Sequence, residues 1–174
     1  MNESAIANIS PDLQEQLIVE MRAELAEYGA LLHLLESQQA AIIDRKPDSV
    51  LGLIQKIEAQ LATTHTCRTH REATADALGK LSGAALPATL RNLVPYFRDA
   101  VRPLVEALAD EVNRLITETR RRAKQNQMLL ARSVELTQEL VSKLSPRAVS
   151  KTYSALGRVK IQPAAGASRL IEKT

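Results

Sequence analysis

The chain has 174 residues, 45% of them hydrophobic and 25% charged, but only four aromatics (Tyr28, Tyr96, Phe97 and Tyr153), six Gly and seven Pro. That composition excludes an all-β fold, which needs β-branched and aromatic strands joined by frequent turns. It favours helix, since Ala, Leu, Glu, Gln, Arg and Lys dominate. The net charge of +3 invites a nucleic-acid reading that its distribution opposes: residues 1–80 sum to −5, residues 81–145 to +3 and residues 146–174 to +5.

Met1–Asp12 has no basic region leading into an apolar stretch, so no secretory signal is expected there. No apolar run approaches the roughly 18 residues of a membrane span. Cys67 is the single cysteine and cannot form an intrachain disulfide. These features predict a cytoplasmic protein with no membrane insertion.

The first helix is predicted from Pro11, with Ser10 as N-cap, to about Arg45, where Lys46-Pro47 stops it. Its apolar positions recur at alternating spacings of three and four as Ile18, Met21, Leu25, Tyr28, Leu32, Leu35, Gln39 and Ile42, a heptad stripe. The second helix is predicted from Pro47-Asp48 to about Lys80. Its stripe is Val50, Ile54, Ile57, Leu61, Thr64, Arg68, Arg71, Ala75 and Leu78, apolar first and mixed later. Leu81–Val94, with Gly83 and Pro87, reads as a connection with room for one helical turn.

The third helix is predicted from about Tyr96 to Leu144, with Pro103 either kinking it or marking its first turn. Its stripe is Val101, Val105, Leu108, Val112, Leu115, Thr119, Arg122, Asn126, Leu129, Ser133, Leu136 and Leu140, with a polar break at Thr119, Arg122 and Asn126. The fold expected is all-α: an elongated antiparallel three-helix bundle with coiled-coil-like packing over residues 1–144.

Residues 145–174 form the second predicted region, a flexible basic tail opened by Ser145-Pro146. Within it Val149, Tyr153 and Leu156 fall at i, i+4 and i+7, the spacing of a short helix inducible on a partner. Tyr153 is the lone aromatic of this region.

Chemistry-bearing clusters are thin. His65, Cys67 and His70 have soft-metal ligand types, but spacings of two and five do not share a helix face, so no metal is expected. No glycine-rich phosphate loop, nucleophile motif or cofactor signature occurs, and no enzyme is predicted. Arg120, Arg121, Arg122 and Lys124 spread around a helix rather than forming a patch, and base-stacking aromatics are scarce. Nucleic-acid binding and a coiled-coil scaffold, with the polar break setting register between chains, remain the rival readings.

Four local features are similar to the FlgN-like flagellar export chaperones, which act on hook–filament junction proteins. They are Leu31-Leu32 and Leu34-Leu35 followed by Glu36; the turn Asp44-Arg45-Lys46-Pro47-Asp48 leading into Val50-Leu51, Leu53-Ile54, Lys56 and Leu61; Asn126-Gln127-Met128-Leu129-Leu130; and Thr152-Tyr153-Ser154-Ala155-Leu156-Gly157. The resemblance implies a cytoplasmic chaperone that binds the hook-associated proteins FlgK and FlgL, prevents premature assembly and delivers them to the export gate. It carries partner binding over to Val149, Tyr153, Leu156 and Gly157, and to Asn126, Leu129 and Leu130. It leaves open whether one copy or two act, and what the tail beyond Gly157 does.

Overall fold

A computed structural model describes residues 11–144, 149–153 and 159–163 of the chain, the last two segments as backbone. Four helices dominate: α1 (Pro11–Ile43), α2 (Pro47–Ser82), the short α3 (Leu90–Leu93) and α4 (Arg102–Leu144). A single 3₁₀ turn, Val94–Tyr96, links α3 to the approach of α4. The expected N-cap Ser10 lies outside the described residues. Contacts fall into two compact units, Met1–Gln127 and Met128–Thr174.

Both helix ends around the first two connections close by the same device. Lys46 N–H donates to Ala41 O at 3.0 Å and Arg45 N–H to Ile42 O at 3.1 Å. This is the Schellman pattern, with Arg45 in the left-handed position at φ 55°. At the end of α2 the left-handed position is held by Gly83 at φ 72°, and Ala84 N–H returns to Gly79 O at 2.9 Å. Pro47 then supplies the first turn of α2, where its missing N–H costs nothing.

Residues paired across the first unit give the helix directions. Gln16 faces Thr74, Glu24 faces Arg71 and Glu27 accepts from Gln60 Nε2, so α1 and α2 run antiparallel. Val105 packs with Leu17 and Met21, Leu115 with Tyr28 and Leu31, and Asn126 bonds to Leu35, so α4 follows α1 in direction. Pro103 sits in the first turn of α4 and does not kink it.

The buried seam differs from the predicted stripe by one residue in every second position. In α1 it is Gln14, Leu17, Met21, Glu24, Tyr28, Leu31, Leu35, Gln38 and Ile42. The positions Met21, Tyr28, Leu35 and Ile42 are shared with the prediction, but Leu17, Glu24, Leu31 and Gln38 replace Ile18, Leu25, Leu32 and Gln39. In α2 the positions seven apart, Val50, Ile57, Thr64, Arg71 and Leu78, are all buried, whereas the predicted Leu61 and Arg68 are exposed. The reason is pairing. A polar residue enters a core when another polar residue meets it there, as Arg71 meets Glu24 and Asn126 meets Gln38. The apolar Ile18, Leu25 and Leu32 then pack along the flanks.

Two apolar clusters lie either side of the Glu24–Arg71 pair. One joins Leu17, Met21, Ala75, Leu78, Leu93, Phe97 and Val105. The other joins Tyr28, Leu31, Leu35, Ile57 and Leu115. Phe97, the single Phe, is 2% exposed and lies in the connection before α4. Arg102 clamps that connection, donating from Nε to Phe97 O and from Nη2 to Pro95 O, each at 2.9 Å. Asp76 Oδ1 accepts from Ala88 N–H at 2.7 Å and ties the same segment to α2.

In the second unit, α4 continues from Met128 to Leu144 and is followed by two antiparallel strands, β1 (Val149–Tyr153) and β2 (Val159–Pro163). The register pairs Val149 with Pro163, Lys151 with Ile161 and Tyr153 with Val159. The predicted short helix starting at Val149 is therefore replaced by a strand. Val149, Thr152 and Tyr153 prefer extended backbone, and Val159 and Ile161 alternate with Lys160 and Gln162 at strand period.

Two outcomes test the seam. Glu24→Ala leaves the Arg71 guanidinium buried and short of its main partner, and urea denaturation should show a loss of about 3 kcal/mol. Glu24→Leu with Arg71→Met removes both charges and should recover most of that loss. Gly79→Ala places a Cβ 2.8 Å from Ala88 Cβ. It should destabilise by about 1 kcal/mol despite the better helix propensity of Ala.

Candidate functional site

Burial along α4 stops abruptly. Val105, Val112, Leu115, Thr119 and Asn126 are buried, Leu129 and Leu130 are half-buried, and every residue from Ala131 to Leu144 is exposed. The apolar content does not stop with it. Val134, Leu136, Leu140, Val141 and Leu144 all stand in solvent, Leu140 at 61% and Leu144 at 83%.

Helical geometry gathers these residues. At 3.6 residues per turn Leu129, Leu136, Leu140, Leu144, Leu130, Val141 and Val134 occupy one face about 160° wide. Ser133 and Thr137 are its only polar members, and each turns its hydroxyl onto its own helix, donating to Leu129 O and Ser133 O at 2.9 Å. The charged residues occupy the other side and neutralise each other locally: Arg132 pairs with Glu135 at 3.3 Å and Lys143 with Glu139 at 3.1 Å. The helix thus carries its charge pairs on the back and leaves the apolar front free of desolvation cost.

The polar break that precedes this face is spent inside the first unit. Asn126 is 2% exposed. Its Nδ2 donates to Leu35 O at 2.7 Å and to Gln38 Oε1 at 2.9 Å. Arg122 Nη1 donates to Gln39 Oε1 at 2.6 Å, and Nη2 lies 3.5 Å from Glu36. Asn126 is therefore placed within the helical unit as an anchor, not on the surface with the other expected partner-binding residues. Leu129 and Leu130 begin the exposed face. Val149 and Tyr153 are the first and last residues of β1, while Leu156 and Gly157 lie outside the described residues.

Sequence reasoning named Leu136 and Leu140 only as bundle positions, and missed Val134, Val141 and Leu144. The signal was available: Arg132, Glu135, Glu139 and Lys143 share the opposite face, so the segment is amphipathic on its own.

Among the described residues no group of three His, Cys, Asp or Glu side chains is arranged to hold a metal. Burial, and then the Glu27 and Glu24 carboxylates, push the pKa of the Cys67 thiol up. No described helix is long and apolar enough to cross a membrane.

The described residues thus form a helical scaffold whose longest helix carries a broad exposed apolar face. A family model described as FlgN protein matches residues 13–160, and the chain belongs to the FlgN family, a family of flagellar export chaperones. No curated protein and no solved structure shows a significant match to it.

Asn126 and Leu140 should separate cleanly. Asn126→Ala removes two buried hydrogen bonds and should lower stability by about 2 kcal/mol in chemical denaturation. Leu140→Asp changes an exposed position and should move stability by less than about 0.5 kcal/mol.

Proposed function

We propose that the chain is a cytoplasmic flagellar type III export chaperone that binds the hook-associated proteins FlgK and FlgL. It keeps their terminal helices from associating early and delivers them to the export gate. The observation that carries this reading, beside family membership, is the apolar face from Leu129 to Leu144, uncovered among the described residues. An assembly-prone terminal helix has an apolar stripe of its own, and two such stripes bury each other without any bond-making chemistry.

In this reading the three long helices act as an antiparallel bundle that presents the face. Val149, Tyr153, Leu156 and Gly157 add contacts from the C-terminal region, and Asn126 positions the helix that Leu129 and Leu130 begin. The scaffold alternative loses its main support, because Thr119 is buried and Arg122 and Asn126 are engaged with α1 of the same chain.

Calorimetry against the isolated junction proteins tests the assignment. Leu136→Asp with Leu140→Asp should weaken binding about 100-fold, since each buried leucine contributes on the order of 1.5 kcal/mol, while the melting temperature stays unchanged. Unaltered affinity would remove the face from the mechanism. Tyr153→Ala, and removal of residues 146–174, should each lower affinity for the junction proteins or the export gate and leave the helical signal in circular dichroism intact.

A further inference from the structure

A second unfilled surface lies in the first unit, apart from the α4 face. Helices α2 and α4 line opposite sides of a groove of about 1050 Å³, closed at one end by the segment from Pro87 to Pro95. Its floor is apolar, with Ala88, Val94, Ala109, Val112 and Ile116. Its charged lining is mixed in sign, but along α4 the acidic Glu106 and Asp110 precede the basic Arg120. Asp76, Glu106 and Asp110 stand toward one end, with Arg91 beside them, and Arg68, Arg71 and Arg120 toward the other, with Glu72 among them.

The pairing of these charges is uneven. Glu72 is held by Arg68 at 2.7 Å and approached by Arg71 at 3.5 Å, and Arg71 is committed to Glu24. Asp76 caps Ala88 N–H. Among the described residues Glu106, Asp110, Arg91 and Arg120 have no ion-pair partner, although all four are exposed at the groove. Glu106 and Arg120 are about 21 Å apart along α4 at 1.5 Å per residue, four helical turns.

We propose that this groove is a docking site for one amphipathic α-helix of a partner protein, lying along α4 with its N-terminus toward Glu106 and Asp110 and its C-terminus toward Arg120. The occupant is basic early and acidic late. An extended segment would set its N–H and C=O groups against an apolar floor that offers no strand edge, whereas a helix bonds its own backbone internally. The direction follows from charge: the positive N-terminal end of the helix dipole meets the acidic rim and the negative C-terminal end meets Arg120. Rim charges of this kind select orientation and partner, and the apolar floor supplies the contact.

The test titrates the full chain with two hydrocarbon-stapled 15-residue alanine–leucine helices of equal composition. One carries two lysines in its first turn and two glutamates in its last; the other exchanges them. The first should bind at least about 10-fold more tightly. A Glu106→Lys, Asp110→Lys, Arg120→Glu variant, altered only at exposed positions and checked for fold by circular dichroism, should invert the preference. Leu140→Asp should leave it untouched, which separates this site from the α4 face. Equal affinities, no binding below about 1 mM, or a preference that survives the triple variant would overturn the proposal. So would loss of peptide binding in Leu140→Asp, which would put the peptide on α4. Light scattering that shows the triple variant dissociating a dimer would assign the groove to a second copy and overturn it equally.

Discussion

The Glu24–Arg71 pair sets the register on which the helical unit depends. Glu24 is fully buried, and a carboxylate without a partner there would carry its full desolvation cost. Among alignments of α1 against α2 a heptad apart, only one brings a guanidinium to it, since Thr64 and Leu78 stand seven residues either side of Arg71. Sliding the helices by a heptad would keep apolar residues facing apolar residues in much of the seam, so leucine packing alone would discriminate weakly between registers. The buried pair discriminates strongly, because every other heptad alignment leaves a charge unmet. Gln38 and Asn126 do the same for α4 against α1, at lower cost because both are neutral.

That constraint explains what the sequence disclosed and what it concealed. Helix positions were legible from Pro11, the Lys46-Pro47 stop and Gly83, because caps and breakers act locally. The spacing of seven was legible too, and Met21, Tyr28, Leu35 and Ile42 sit where the pattern put them. The alternate column was not. A hydrophobicity reading scores Leu25 above Glu24 and cannot separate Leu32 from Leu31 or Gln39 from Gln38, yet the core takes Glu24 and Gln38, since their partners lie 47 and 88 residues away in sequence. No single-helix pattern carries that information. Phe97 was hidden for a related reason: it lies in a connection, where periodicity gives no guide, and it is buried in a cluster with residues of all four helices.

The exposed face was concealed differently. Up to Asn126 the stripe of α4 is the seam of a packed unit, and beyond it the same spacing continues exposed among the described residues. Periodicity reports amphipathicity, not whether the apolar side is covered. The tail shows the converse. An i, i+4, i+7 pattern at Val149, Tyr153 and Leu156 is also compatible with alternation over Val149–Tyr153, and five residues are too few for the period to decide. Pairing of Val149–Tyr153 with Val159–Pro163 decides it for strand.

Under the proposed function, the division between buried polar pairs and exposed apolar residues matches what a chaperone for assembly-prone helices has to do. Binding must hide an apolar stripe yet release it, so affinity should come from contact area that is reformed easily rather than from buried ion pairs, whose loss on release would strand desolvated charge. The face from Leu129 to Leu144 meets that requirement, because Arg132, Glu135, Glu139 and Lys143 are satisfied among themselves on the side away from it. The groove between α2 and α4 has the opposite character: an apolar floor bordered by charges of which Glu106, Asp110, Arg91 and Arg120 have no ion-pair partner among the described residues. A surface of the first kind tolerates different helices of similar hydrophobicity, whereas one of the second kind selects a helix by charge order. One chain can thus combine a permissive contact with a selective one, and only the selective contact should weaken markedly as ionic strength rises.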